Sequence, residues 1–268
     1  MSALALGAAP RGRVTQLNVL RSEWTKLWTL RSTCWSLFAA VVAMLGLGPL
    51  FAAVQISRWT QHDLASFDSI NVALAGRNFA QLAVGVLGVL VICGEYSTGM
   101  IRSSFMAAPT RLPVLWAKLA AFCSVVFVTM LVSGFASFFI TQAIVAAQHQ
   151  QHTLSDPHAL RAVVGNALFL TVLGALSVGL GAVVRNTAGG IALFVFLLFV
   201  LPGLTGILPH ATADKIDPYL PLNAGGAVAT STFDFGTHLS PWGGFAVFCL
   251  YGAIACVAAA VGLRRRDA

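Results

Sequence analysis

Six long apolar runs constrain this chain more than any other feature of its sequence. They are Cys34–Val54, Phe79–Ile92, Ala117–Ala146, Ala162–Val184, Ile191–Leu208 and Trp242–Leu263. A helix needs roughly 20 apolar residues to cross a bilayer, so the second run is short unless Asn78, Gln81 and Cys93 belong to it. Because the runs are continuous and do not alternate with polar residues, they predict an all-α integral membrane protein with six transmembrane helices rather than a β-barrel.

Composition agrees with a chain whose solvent is largely lipid. Of the 268 residues, 57% are hydrophobic and 9% are charged, whereas soluble domains are about a quarter charged. The five cysteines fall in or beside the apolar runs, so we expect small packing residues and no disulfide framework or metal site. The first eighteen residues lack an apolar core of sufficient length, so no cleavable signal peptide is expected.

Lysine and arginine are distributed unevenly between the two sides of the membrane that six spans define. The side that holds both termini carries twelve of the sixteen basic residues, and the opposite loops carry only Arg58, Arg77, Arg161 and Lys215. All six histidines and six of the nine acidic residues lie in those opposite loops. By the positive-inside rule, both termini are predicted to be cytoplasmic.

This orientation predicts which loops an impermeant thiol reagent can reach in intact cells. In a background without the native cysteines, cysteines introduced at Asp156 and Asp214 should react, whereas one introduced at Ser103 should not. The measurement is reagent labelling before and after membrane permeabilisation. Labelling of position 103 from outside would reverse the orientation.

The stretch before the first span, "VTQLNVLRSEWTKLWTLRSTCW", has an amphipathic helical pattern. Its apolar stripe is Leu17, Leu20, Trp24, Leu27 and Trp28. The charged residues lie elsewhere around the helix: Arg21, Glu23, Lys26 and Arg31. Two tryptophans flanked by cations favour a helix that lies in the headgroup plane. The alternative is an ordinary basic flank of a membrane span.

A compact polar segment, "ICGEYSTGMIRSSFMAAPTR", separates the second and third runs and falls in the first cytoplasmic loop. Its middle is predicted to be a short helix, capped by Ser97 or Thr98. The apolar face of this helix is Ile101, Phe105 and Ala108, and Arg102 and Ser103 lie away from it. Pro109 marks its end. Glu95 is expected near its start, where a carboxylate is favoured by the helix dipole; the alternative is a simple charge at the membrane boundary.

Several catalytic patterns are absent or weak. No Gly-Lys dipeptide occurs, so the chain has no phosphate-binding P-loop. Ser177 in "GALSVGLG" lies in an apolar run among small residues that favour close helix packing over an intramembrane hydrolase. His149, His152, Asp156 and His158 are candidate metal ligands, but their spacing matches no zinc site, so a solvated polar loop is the better interpretation.

The apolar runs contain hardly any ionisable residue. Proton- or sodium-coupled transporters usually need intramembrane carboxylates, and pores are often lined with charge. If the chain moves a substrate, its energy is therefore expected to come from another protein.

Four features resemble the permeases of ABC type-2 exporters, especially their actinobacterial branch. They are the N-terminal "LRSEWTKLWTLRSTCWSL", the loop "GEYSTGMIRSSFMAAPTR", the string "YLPLNAG" at Tyr219–Gly225, and the six-span layout. The resemblance implies two permease subunits, as a homodimer or heterodimer, each seated on a cytoplasmic ATPase subunit that binds ATP and Mg. It also implies a location in the bacterial plasma membrane, contact with membrane lipid, and no role for nucleic acid.

The resemblance also assigns roles to particular segments. Residues 1–33 would hold a cytoplasmic N-terminus with an interfacial elbow helix around Leu20, Trp24, Leu27 and Trp28, 34–263 would form the transmembrane domain, and 264–268 would be a basic cytoplasmic tail. The coupling segment that docks into the ATPase would be 94–111, through Glu95, Thr98, Gly99, Ile101, Arg102, Phe105, Pro109 and Arg111. The alternative is a merely polar loop between two spans. The extracellular gate would lie within 209–241, through Tyr219, Pro221, Asn223 and Gly225. Because the stretch that follows the two prolines is too apolar to sit comfortably in water, Ala224–Thr232 is predicted to pack as a short helix against the outer ends of the spans.

The expected function is therefore the permease subunit of an ATP-driven exporter, without catalytic, cofactor or metal residues of its own. Phenylalanines in the third run (Phe127, Phe135, Phe138 and Phe139) fit a lipid-like or amphipathic drug or antibiotic as cargo, although phenylalanine equally faces lipid. The alternatives are a secondary transporter or channel that acts alone, and a membrane anchor or sensor for an ATPase. Inspection of the neighbouring genes for an ATPase is the simplest way to distinguish these classes.

Overall fold

Helices make up nearly all of the chain that the computed structural model describes, namely residues 16–58, 67–97, 111–146, 152–207, 209–231 and 239–265. No β-strand occurs within these ranges. The long helices are α2 (Arg31–Arg58), α4 (Arg77–Ser97), α5 (Arg111–Val145), α6 (Ala159–Val184) and α11 (Pro241–Arg265). Shorter helices are α1 (Gln16–Thr29), α3 (Ser69–Ala73), α7 (Thr187–Val195), α8 (Leu201–Thr205), α9 (His210–Ile216) and α10 (Pro221–Gly226).

Six helical segments in the described residues are long and apolar enough to cross a membrane, which confirms the predicted number. The second segment is longer than its apolar run, because α4 begins at Arg77 and includes Asn78, Gln81 and Cys93. The fifth is composite: a π-helix, Phe196–Val200, joins α7 to α8. Pro202 lies two residues after Val200 and has no N–H to donate to the preceding turn, which accounts for the wide turn at this point.

Helix α6 forms the centre of the bundle and packs against α4, α5 and α11. Small residues allow the α4 contact, since a Cβ on Gly88 would lie 1.9 Å from Ser177 Oγ. The Ser177 hydroxyl donates to the carbonyl of Gly174 over 2.7 Å and is fully buried. The small-residue run therefore serves helix packing, as the sequence indicated.

The two ends of the bundle differ in the segments they contain. We call one the basic end; it holds α1, the last turns of α4, α6 and α11, and the first turn of α5. The opposite end holds α3, the first turns of α4 and α6, and the outer segment, defined as Pro221–Ser231. Each end contains one polar cluster that ties several helices together.

Candidate functional site

The predicted coupling helix lies outside the described residues. This applies to Thr98, Gly99, Ile101, Arg102, Phe105 and Pro109, while Arg111 is the first residue of α5. What the structure shows is how the two ends of this loop are held. Helix α4 ends at Ser97 and α5 begins at Arg111.

Four charged side chains form a cluster beside these two loop ends. Lys118 Nζ lies 2.5 Å from Glu23 Oε2 and 2.8 Å from Glu95 Oε1. Lys26 Nζ lies 2.7 Å from Glu23 Oε1 and 3.1 Å from Glu95 Oε1. The two lysines thus alternate with the two glutamates, and the formal charge of the charge cluster, as we name these four residues, is zero.

The charge cluster is largely removed from solvent. Glu23 is 2% exposed, Lys118 4% and Glu95 8%. Removing charges from water is unfavourable unless each finds a close partner of opposite sign, and then the loss of one partner is strongly destabilising. The alternating arrangement supplies such partners for every member.

Lys26 is the most accessible member, and the two glutamates influence its titration. Burial alone would lower the pKa of Lys26, but the hydrogen bond that Lys26 donates to Glu23 and the nearby charges of Glu23 and Glu95 outweigh it and raise the pKa. A raised lysine pKa means that its stabilising contribution is complete at neutral pH and is lost only at strongly alkaline pH. The Lys26 contacts are therefore independent of pH changes in the physiological range.

The charge cluster connects three helices that are separate in sequence. Glu23 and Lys26 belong to α1, Glu95 to the last turn of α4, and Lys118 to the second turn of α5. Helix α1 is thereby fastened to both spans that flank residues 98–110. A displacement of either loop end is consequently resisted by, or transmitted to, α1.

Glu95 was predicted near the start of the coupling helix, which lies outside the described residues. Within them it lies near the end of α4, where the helix dipole disfavours a negative charge. Two lysines within 3.1 Å offset that effect. Glu23 and Lys118 were not predicted as site residues; the available signals were the i,i+3 spacing of Glu23 and Lys26 and a lysine inside an apolar run.

Helix α1 forms as predicted, but its apolar stripe is divided. Leu27 is 4% exposed and packs into the bundle core beside the charge cluster. Leu20, Trp24 and Trp28 point outward, and the two indole rings lie 6.2 Å apart. The buried face of α1 therefore combines Leu27 with Glu23, a pairing that hydrophobic periodicity could not predict.

The outer segment packs against the helices at the opposite end of the bundle. The sequence predicted a packed short helix at Ala224–Thr232; helix α10 begins earlier, at Pro221, and a 3-10 turn continues to Ala229. Ala224, Val228 and Ala229 are fully buried, so the predicted packing is confirmed, with different bounds. Thr232 lies outside the described residues.

The four predicted gate residues lie together in and beside the outer segment. Pro221 begins α10, the Asn223 side chain donates to the Asp217 carbonyl over 2.9 Å, and Gly225 packs directly against the Phe248 ring. Tyr219 is half exposed, and its carbonyl accepts a hydrogen bond from the Tyr251 hydroxyl.

Two arginines fix the end of the outer segment. Arg77 of α4 donates to the carbonyl of Ala229 over 3.1 Å, and Arg161 of α6 donates to that of Thr230 over 2.9 Å. Ser231 adds a hydroxyl contact to Asp68, and its N–H donates to Asn71 Oδ1. The segment is thus held by three helices of the same chain, and sequence analysis missed these contacts because they join residues more than 60 positions apart.

One glycine allows this close seating and provides a test. A Cβ on Gly165 of α6 would lie 2.3 Å from the carbonyl oxygen of Val228. Gly165→Ala is therefore expected to lower the free energy of unfolding by about 1–3 kcal/mol, because the added methyl group overpacks the contact. Gly226→Ala is the matched control, since nothing lies within 4 Å of a Cβ there. Equal stability of both variants in detergent melts would show that the segment is not seated on α6.

The histidine-containing stretch is a polar turn where the structure describes it. Asp156 Oδ2 accepts from the Thr153 N–H over 2.6 Å and lies 3.1 Å from His152 Nδ1. The hydrogen bond from the Thr153 backbone lowers the pKa of Asp156. No group of three or more metal-ligating side chains exists among the described residues, which do not include His149.

Comparisons with known proteins leave the family open. No protein-family model matches the sequence, and no curated protein matches it at significant similarity. The function therefore has to be inferred from the chain's own residues and contacts.

Proposed function

We propose that this chain is the membrane-spanning permease subunit of an ATP-driven exporter of the ABC type-2 kind. A separate cytoplasmic ATPase subunit, present in two copies, binds ATP and Mg and supplies the energy. Two permease subunits form the pathway in the bacterial plasma membrane. The six helices of spanning length and the sequence motifs quoted above support this assignment.

The observation that carries the proposal is the position of the charge cluster. Residues 98–110 lie between α4 and α5, and the charge cluster fastens the ends of both helices to α1 within 3.1 Å contacts. An ATPase that moves this loop would move α4, α5 and α1 together. A merely polar loop between two spans would not require a largely buried cluster of four paired charges beside its two ends.

Helix α1 serves as the elbow in this proposal. Its outward Leu20, Trp24 and Trp28 suit the headgroup region, where tryptophan is favoured. Its inward Glu23 and Leu27 connect it to the bundle. The elbow would thus lie on the cytoplasmic membrane surface and follow the motion of the coupling loop.

In this proposal the outer segment closes the extracellular end of the pathway. Its contacts with Arg77 and Arg161 are made within one chain. Opening therefore requires either the release of these hydrogen bonds or movement of the segment together with α4 and α6. The closed and the open conformation differ in their affinity for the substrate only if they make different contacts with it.

Purification tests the proposal. The tagged chain, extracted in mild detergent together with an ATPase encoded beside it, is expected to yield a complex with equal numbers of the two subunits. ATP hydrolysis should reside in the ATPase and should change when both are placed in nanodiscs. A chain that purifies without any ATP-hydrolysing subunit and still transports would instead be a secondary transporter or channel.

A further inference from the structure

Arg185 follows the last residue of α6 in a backbone conformation that arginine seldom adopts. Its φ is 57°, and its N–H donates to the carbonyl of Gly181 over 2.8 Å, which ends the helix. Glycine is the usual residue at such a left-handed helix end, because it has no Cβ to crowd the backbone. Among the non-glycine residues that the structure describes, only His158 and Arg185 have a positive φ. The contacts of the arginine side chain are therefore expected to offset a backbone penalty.

The guanidinium of Arg185 joins two other helix ends. It lies 5.2 Å from the centre of the Tyr96 ring, within the range of a cation–π interaction. Its Nη2 also donates to the carbonyl of Gly262 over 3.1 Å. Tyr96 belongs to the last turn of α4 and Gly262 to the last turn of α11, where the helix dipole favours a cation. One side chain thus connects the ends of α4, α6 and α11.

Tyr96 directly follows Glu95, and the two residues connect α4 to different neighbours. Successive residues of an α-helix point about 100° apart. Glu95 pairs with the lysines of α1 and α5 in the charge cluster, whereas Tyr96 contacts Arg185 at the end of α6. A displacement of this end of α4 would therefore act on α1 and α5 through Glu95, and on α6 and α11 through Tyr96.

Helix α11 continues from the basic end to the outer segment. Its 25 residues rise about 37 Å at 1.5 Å per residue. Near its other end, a Cβ on Gly244 would lie 2.5 Å from the carbonyl oxygen of Ala224, and the Phe248 ring packs against Gly225. Because α11 and the outer segment meet at backbone distance, a shift of α11 has to move the outer segment or disrupt this contact.

We infer that Arg185 is a positioning residue that conveys movement of the loop of residues 98–110 to α11 and so to the outer segment. The inference rests on the exporter proposal, because an ATPase has to supply that movement. Arg185 acts through Tyr96 and Gly262 at the two helix ends that it contacts. Lysine is not an equivalent, because the planar guanidinium can lie over an aromatic ring while its N–H groups donate elsewhere.

A buried position in the outer segment reports whether the movement reaches it. Val228 is fully buried, so Val228→Cys, in a chain without the native cysteines, should react slowly with an impermeant thiol reagent. With the bound ATPase in nanodiscs, ATP and Mg should accelerate this reaction. Arg185→Gly should reduce the acceleration about ten-fold, within the ordinary range of coupling between sites, although glycine suits the left-handed turn. ATPase binding should be unchanged.

Matched variants separate the arginine side chain from the turn, and the tyrosine ring from its hydroxyl. His158→Gly places glycine at the other left-handed position, at the opposite end of α6, and should keep the full acceleration. Tyr96→Phe keeps the ring and should also keep the acceleration, whereas Tyr96→Leu should lose it as Arg185→Gly does. Because both losses interrupt one path of contacts, combining Tyr96→Leu with Arg185→Gly should add nothing further.

Hydrogen exchange in the chain alone tests the same connection without the ATPase. Arg185→Gly should speed amide exchange in the last turn of α11, residues 262–265, and His158→Gly should not. Unchanged exchange there, or full acceleration of the Val228→Cys reaction in Arg185→Gly or Tyr96→Leu, would overturn the role of Arg185. Loss of ATPase binding in Arg185→Gly would place the arginine in the docking surface instead. Absence of any ATP effect in the chain with Arg185 intact would contradict the exporter assignment itself, and this inference with it.

Discussion

Lys118→Ala is expected to lower the free energy of unfolding by about 3–5 kcal/mol, the range measured when one partner of a buried ion pair is removed. Lys118 contacts both glutamates of the charge cluster, at 2.5 Å from Glu23 and 2.8 Å from Glu95. Without it, Lys26 is the remaining cation that pairs with both buried carboxylates among the described residues. Thermal denaturation in detergent, followed by the loss of monodisperse protein, measures the effect.

Two controls separate this effect from a general loss of positive charge. Arg21→Ala removes an exposed cation from α1 and should change stability by less than about 0.5 kcal/mol. Glu23→Gln combined with Lys118→Met leaves Lys26 paired with Glu95 at 3.1 Å and should recover much of the lost stability. If Lys118→Ala behaves like Arg21→Ala, the charge cluster does not hold α1 to the spans.

The second large effect is expected in the predicted coupling helix. Ile101→Ala combined with Phe105→Ala should abolish ATPase-stimulated transport while the chain still inserts and remains abundant. Each fully buried large apolar side chain contributes roughly 1.5–3 kcal/mol, and a groove on the ATPase would bury both. Phe105→Ala alone should weaken co-purification of the ATPase, which quantitative pull-down measures.

Charge substitutions in the same loop should act differently. Arg102→Ala and Arg111→Ala are expected to slow association more than they reduce affinity, because charges at the rim of an interface mainly steer the encounter. The Ile101 and Phe105 double variant with full transport and full ATPase binding would contradict the coupling assignment. The surface that contacts the ATPase would then lie in α1, around Trp24 and Trp28.

The number of long helices and their approximate bounds could be predicted because apolar run length is a property of the sequence alone. The bounds of α4 could not, since Asn78 and Gln81 are polar and only tertiary contacts show that they continue the helix. The π-turn before Pro202 was likewise missed. Proline indicates a lost hydrogen bond, but whether the helix kinks, ends or widens there depends on its neighbours.

In the candidate sites, too, local patterns could be predicted from the sequence, whereas tertiary contacts could not. Sequence periodicity found the stripe of α1, yet Leu27 faces the core and Trp24 faces outward, because partners on α4 and α5 decide which side is covered. Glu95 was recognised as significant, but its lysine partners were not, since Lys118 is 23 positions away and Lys26 is 69. The packing of the outer segment followed from its apolar composition, whereas its arginine contacts depend on the fold.

The most direct measurement of the exporter assignment is transport by the purified chain in proteoliposomes, with and without its ATPase, using fluorescent lipid and amphipathic dye substrates. The account predicts no movement by the chain alone. With the ATPase, movement should require ATP and Mg and should be lost in the Ile101 and Phe105 double variant. Transport by the chain alone, driven by a substrate or ion gradient and unchanged by the ATPase and ATP, would contradict it.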